Sequence, residues 1–125
     1  MAYDEYLAER VERFFTGKHL DFFFKKMMGG LVFMVNEKMC VGVLKDKKTA
    51  EDKIMLRIGK EFYEEALKSN SARKMDFTGV PMKGFVFIGP DAFDMDDDLE
   101  FWLQKALDFN PEAKKSPPKK KKLSK

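Results

Sequence analysis

Apolar residues recur at three- and four-residue steps near the start of the chain. Tyr3, Leu7, Val11, Phe14 and Phe15 form one stripe, while Asp4, Glu5, Glu9, Arg10, Glu12 and Arg13 fill the other side. That period predicts an amphipathic helix, closed by Gly17. The pattern then changes. Phe22, Phe23 and Phe24 open a strand that runs to Met28, Gly29-Gly30 interrupts it, and apolar runs over 31–35 and 39–43 flank a polar turn at Asn36-Glu37. A hairpin follows. With a two-residue loop, Val35 lies opposite Lys38, Met34 opposite Met39 and Phe33 opposite Cys40, with apolar side chains on both faces.

Residues 45–53 are charged and almost free of apolar side chains, which predicts a loop before a strand over 54–58. In that strand Ile54, Leu56 and Ile58 face one way and Arg57 the other. Phe62, Tyr63, Ala66 and Leu67 make the stripe of a short helix over 60–68, followed by a turn at Ser69-Asn70-Ser71. Strands over 73–77 and 83–88 then surround the turn Thr78-Gly79-Val80-Pro81. Acids over 94–98 begin the last helix, where they suit the positive end of the helix dipole and cap its free amides. Leu99, Trp102, Leu103, Ala106 and Leu107 are its buried stripe, and Asn110-Pro111 ends it. The order predicts an α+β fold, a two-layer sandwich. Its antiparallel sheet of about five to six strands is packed by helices at both chain ends and one between strands.

A chain of 125 residues supports one core. Net charge divides it: residues 114–125 hold seven lysines and no acid, which leaves 17 of the 24 basic residues against all 21 acids. The body is therefore acidic and the end strongly basic. Pro117-Pro118 within the lysine run oppose helix and like charges repel, so residues 1–110 are expected to be the domain and 111–125 a disordered Lys-rich tail. No run approaches the twenty or so apolar residues of a membrane span, so no membrane partner is expected. Charged positions follow Met1-Ala2-Tyr3 directly, without an apolar leader, and the single cysteine, Cys40, has no disulfide partner. Both fit a reducing, cytoplasmic location.

Catalytic chemistry finds little support. Neither phosphate-loop motif occurs, and Gly29-Gly30 leads into a strand rather than a helix, so the pair is read as backbone packing. Cys40 sits among strand residues far in sequence from His19, the only histidine, and is read as a small buried hydrophobe. The acids over 94–98 lack the ligand spacing of a calcium loop. Phe22, Phe23 and Phe24 beside Lys25 and Lys26 have the composition of a base-stacking strand, but core packing is the expected role. No catalytic residue, cofactor or metal is assigned.

Two segments carry a family resemblance. One is Met27-Met28-Gly29-Gly30-Leu31-Val32-Phe33-Met34-Val35-Asn36-Glu37-Lys38-Met39-Cys40-Val41-Gly42-Val43; the other is Met75-Asp76-Phe77-Thr78-Gly79-Val80-Pro81-Met82-Lys83-Gly84-Phe85-Val86-Phe87. Together they resemble the N-terminal domain of the TfoX/Sxy competence regulators over essentially residues 1–110. Relatives commonly carry Gly where this chain has Glu37, so a different hairpin turn is expected, and often Arg where it has Val80. The charged stretch over 45–53 is also longer than usual. The resemblance implies the same two-layer architecture and a non-enzymatic regulatory, protein-interaction role beside the transcription machinery. Full-length competence regulators continue into a second, helical domain, so this chain is expected to be a stand-alone relative. Arg57 and Lys83 are the body cations whose positions match the family motifs; an ordinary salt bridge or a snorkelling side chain is the expected role and an anion contact the functional alternative, with a small-molecule or enzymatic site as the least favoured function. The apolar hairpin faces make Val32, Met34, Met39 and Val41 the expected surface of a homodimer.

The alternative function is nucleic-acid association through Lys119, Lys120, Lys121 and Lys122, whose flexible charges release counterions without reading sequence. DNA titrations of the full chain and of residues 1–113 across salt test it. Binding that is sequence-blind, salt-steep and lost with the tail is expected; binding retained by 1–113 contradicts the reading.

Overall fold

The computed structural model describes residues 3–27, 29–46, 49–69, 72–74 and 84–112, with only the backbone described at 27 and 74. Lys83, the turn over 78–81 and the lysines over 119–122 lie outside these. The elements run α1 (Glu5–Gly17), β1 (Phe22–Met27), β2 (Gly30–Val35), β3 (Lys38–Lys45), β4 (Asp52–Arg57), α2 (Lys60–Lys68), β5 (Ala72–Lys74), β6 (Phe85–Ile88), α3 (Pro90–Phe93) and α4 (Asp96–Phe109), then a 3-10 turn, Asn110–Glu112. The six strands form one sheet in the order β1-β2-β3-β4-β6-β5, every neighbouring pair antiparallel. The expected α+β sandwich is what the chain forms.

All four helices contribute to a core on one face of the sheet, with Leu7, Val11 and Phe15 from α1, Tyr63 and Ala66 from α2, Phe93 from α3 and Leu103 and Ala106 from α4. These meet Phe33, Val41, Ile54, Leu56, Val86 and Ile88 from the strands. Fully burying one such side chain is worth roughly 1.5–3 kcal/mol. Phe15 and Phe33 meet edge-on at 5.6 Å between centroids, a favoured aromatic geometry. Leu44, Met55 and Phe87 form a smaller cluster on the opposite face, flanked by Met39 and Phe85.

The helix ends follow local chemistry. Asp4 caps α1, its carboxylate accepting from the Tyr6 amide at 2.9 Å. The last helix does not begin at Asp94. Gly89 and Pro90 start a separate single turn, α3, and α4 begins at Asp96 behind Met95, which caps it without a side-chain bond. Asp96, Asp97 and Asp98 then occupy the first turn, favoured by the dipole. Arg10, its side chain mostly buried, fixes this corner: Nη2 donates to the Phe93 carbonyl at 2.8 Å and to Asp96 Oδ1 at 3.0 Å.

Three strand details depart from the expected pattern. The two-residue loop holds, pairing Val35 with Lys38 and Met34 with Met39, but a bulge then shifts the register so that Phe33 opposes Val41 rather than Cys40. Val41 is thereby turned into the helix-covered core, and Val32 and Val41 are fully buried, Met34 nearly so. Of the four residues expected to form a dimer surface, Met39 alone keeps partial exposure, so the quartet offers no contact face. Strands also extend into the charged stretch: β3 reaches Lys45 and β4 starts at Asp52, held by a Lys45–Asp52 ion pair of 2.8 Å. Finally, Phe23 and Phe24 are each 48% exposed rather than packed in the core.

The turn itself keeps the geometry that glycine usually serves. Asn36 and Glu37 both have positive φ, 54° and 65°, as a type I′ hairpin requires, and Glu37 takes the second position, where glycine is generally preferred. Of the Gly29-Gly30 pair, Gly30 alone packs backbone, since a Cβ there would strike the Val43 carbonyl and Leu44, whereas Gly29 has open space around it and a φ of +74°. Asn110, the one buried polar residue among the described residues, ties the hairpin to the chain end. It accepts from Asn36 Nδ2 at 2.8 Å and donates to the Val35 carbonyl at 3.1 Å, while Lys38 Nζ donates to the Asn110 carbonyl at 3.0 Å.

Two outcomes follow from these contacts. Asn110→Ala removes a buried hydrogen bond to the Val35 carbonyl and the acceptor of Asn36, so chemical denaturation should show a loss of about 1–3 kcal/mol; a loss below about 0.5 kcal/mol would show that the tie does not hold the domain together. Burial pushes the Cys40 thiol from its ordinary 9.0 up to about 12, against the opposing pull of Arg57. A raised acid favours folding below the unfolded value and loses that contribution as pH rises through the folded one, so stability relative to Cys40→Ala should decline above pH 9 towards 12. Thiol labelling at pH 8 should be slow in buffer and fast in denaturant; equal rates would contradict the burial.

Candidate functional site

β4 ends at Arg57, and the next two amides, of Ile58 and Gly59, both donate to the Gly84 carbonyl at 2.8 and 3.1 Å. This pins the start of α2 beside β6. Gly59 has φ +88°, a conformation side-chain-bearing residues rarely adopt, and the Phe109 ring occupies the space a Cβ would need. Glycine is therefore required twice over, once by the backbone and once by the ring.

Between these elements opens a cleft of about 540 Å³, within the size range of small-ligand and side-chain pockets. Ile58, Phe62, Phe85 and Phe109 give it apolar walls; Arg57, Lys60 and Lys105 bring cations, and Glu61, Asp108 and Glu112 bring acids. Two of the cations lie against rings. Arg57 Cζ is 5.4 Å from the Phe85 centroid, and Lys105 Nζ is 4.9 Å from that of Phe62 and 5.4 Å from that of Phe101. Such contacts hold a charge against the face of a ring. Partial burial lowers the affinity of Arg57 for its proton, with the Cys40 site acting the other way. A guanidinium retains its charge under such a perturbation.

Arg57 stands opposite the Ile54 and Leu56 face, as the alternation predicts, and it lines the cleft. Lys83 lies outside the described residues. Lys105, Asp108 and Phe109 were missed, because they read as the solvent side and final turn of a helix. The one usable signal was the spacing of Phe101 and Lys105, which puts a ring and a cation one turn apart.

The arrangement sets apolar walls beside cations and acids in equal number. The Cys40 thiol, buried and protonated, belongs to the core, and His19 stands exposed with φ 57° in the connection after α1. Among the described residues, no group of three or more His, Cys, Asp or Glu could hold a metal ion. No described helix is long and apolar enough to cross a membrane.

No curated protein matches the chain. The family model of the TfoX N-terminal domain matches residues 21–110, from β1 through both signature segments to the Asn110 tie. With that match spanning the sheet, the cleft and α4, the chain belongs to the TfoX N-terminal domain family.

Proposed function

We propose that this chain is a non-enzymatic regulatory module that acts by binding a protein of the transcription machinery, as competence regulators do, and that the cleft beside Arg57 holds the partner. The observation that carries the reading is the pairing of cations with aromatic walls, Arg57 on Phe85 and Lys105 on Phe62, inside a body that is otherwise acidic. An acidic side chain followed by an apolar one fits such a cleft: the carboxylate meets Arg57 and Lys105 while the apolar group displaces water from Phe109. Family membership supports the regulatory class.

Biolayer interferometry of the full chain against RNA polymerase and against purified transcription activators tests the proposal. Arg57→Glu and Lys105→Glu should each weaken the complex by about tenfold or more, with unchanged thermal unfolding. Affinity unaffected by both substitutions, or no complex with any of these proteins, would overturn it.

A further inference from the structure

We propose that β1 joins two copies of this chain, edge to edge, about a two-fold axis at Phe24, so that two six-stranded sheets become one continuous sheet. This contact is independent of the cleft and differs from the buried hairpin quartet. β1 closes one side of the sheet and, among the described residues, pairs with β2 alone, which leaves a row of its main-chain groups directed away from the sheet. Along this edge Phe23 and Phe24 are each 48% exposed, and Lys25 and Lys26 are exposed beside them. Phe24 is held at the rim by Phe33, 5.7 Å away between centroids.

Register follows from parity. A two-fold axis normal to the sheet keeps each face on its own side, so opposing residues are both odd or both even in number. Phe23 and Lys25 oppose Met34 and Val32, on the face away from the helices, whereas Phe22, Phe24 and Lys26 oppose Val35, Phe33 and Leu31, on the helix side. With the axis at Phe24, Phe24 meets its own copy, Phe23 meets Lys25, and Phe22 meets Lys26. Every exposed ring then has a ring or a cation opposite it, both favourable cross-strand partners. Moving the axis to Lys25 sets Lys25 against Lys25, a like-charge pair. Moving it to Phe23 shortens the paired stretch within β1 to residues 22–24. Lysines on an edge strand normally discourage pairing, but at the Phe24 register they face phenylalanines, so the edge excludes strangers while accepting itself.

Sedimentation velocity of the full chain over a concentration series, combined with cysteine cross-linking, tests this. A concentration-dependent dimer is expected. Phe24→Lys, a change at a half-exposed rim position, places like charges on the axis and should raise the dimer Kd by about tenfold or more while circular dichroism stays unchanged. Directly opposed strand residues lie about 4.5–5.5 Å apart between Cα atoms, within disulfide reach. Phe24→Cys should therefore cross-link two copies on mild oxidation, with Cys40 buried and inert, and Lys26→Cys, which faces Phe22, should not. A monomer at every concentration, a dimer that Phe24→Lys leaves intact, or cross-linking through Lys26→Cys as strong as through Phe24→Cys would each overturn the proposal.

Discussion

One buried amide sets the position of the C-terminal helix, and much of the molecule's surface chemistry depends on it. Asn110 gives its carbonyl oxygen to Asn36 and its amide hydrogen to the Val35 carbonyl, so both polar ends are satisfied inside an apolar layer. Such a group has a strongly preferred position, because a shift of α4 by even part of a turn would leave donors and acceptors buried without partners. Lys38 adds a third link to the same point by donating to the Asn110 carbonyl. The neighbouring residue, Phe109, is carried by this docking onto Gly59, at the start of α2. The hairpin turn and the cleft are thus connected by two consecutive residues, one polar and one aromatic.

The sheet divides the chain's chemistry by face and by edge. The helices cover one face with a continuous core, and the bulge after Phe33 adjusts the β2–β3 register so that Val41 joins it. Among the described residues, the strands' only acid, Asp52, is matched by Lys45. The cleft lies where β4 and β6 give way to α2 and α4, and the β1 edge lies at the other end of the strand order. A partner in the cleft and a second copy on β1 would therefore occupy separate surfaces, which suits a module that binds regulatory protein in duplicate.

Much of this was legible in the sequence. The 3.6-residue stripes of α1, α2 and α4 and the apolar runs flanking Asn36-Glu37 predict their elements directly, and Arg57 stands on the expected face. The departures have physical reasons. Both hairpin faces are apolar, so alternation could not fix the register and the bulge left no trace in the pattern. Lys45 and Asp52 read as loop residues because each is charged, yet paired across the strands they neutralise each other. Phe23 and Phe24 read as core because hydrophobicity says nothing of a strand's place in the sheet, and an edge strand exposes what a central one buries. Asn110 read as a helix stop, which it is, but its second role depends on a contact 75 residues back at Val35. Lys105 and Phe109 joined the cleft for the same reason: tertiary proximity across β4, α2 and α4 has no local signature.

Native-state hydrogen exchange tests most directly whether the Asn110 contact makes hairpin, cleft and last helix one cooperative unit. The amides of the last turn of α4 and those of Lys38 through Val41 should exchange only through global unfolding, with the same denaturant dependence as the central strands. Exchange of the α4 end through local opening, at rates independent of denaturant while β2 and β3 stay protected, would show that the helix end frays on its own and would contradict the account.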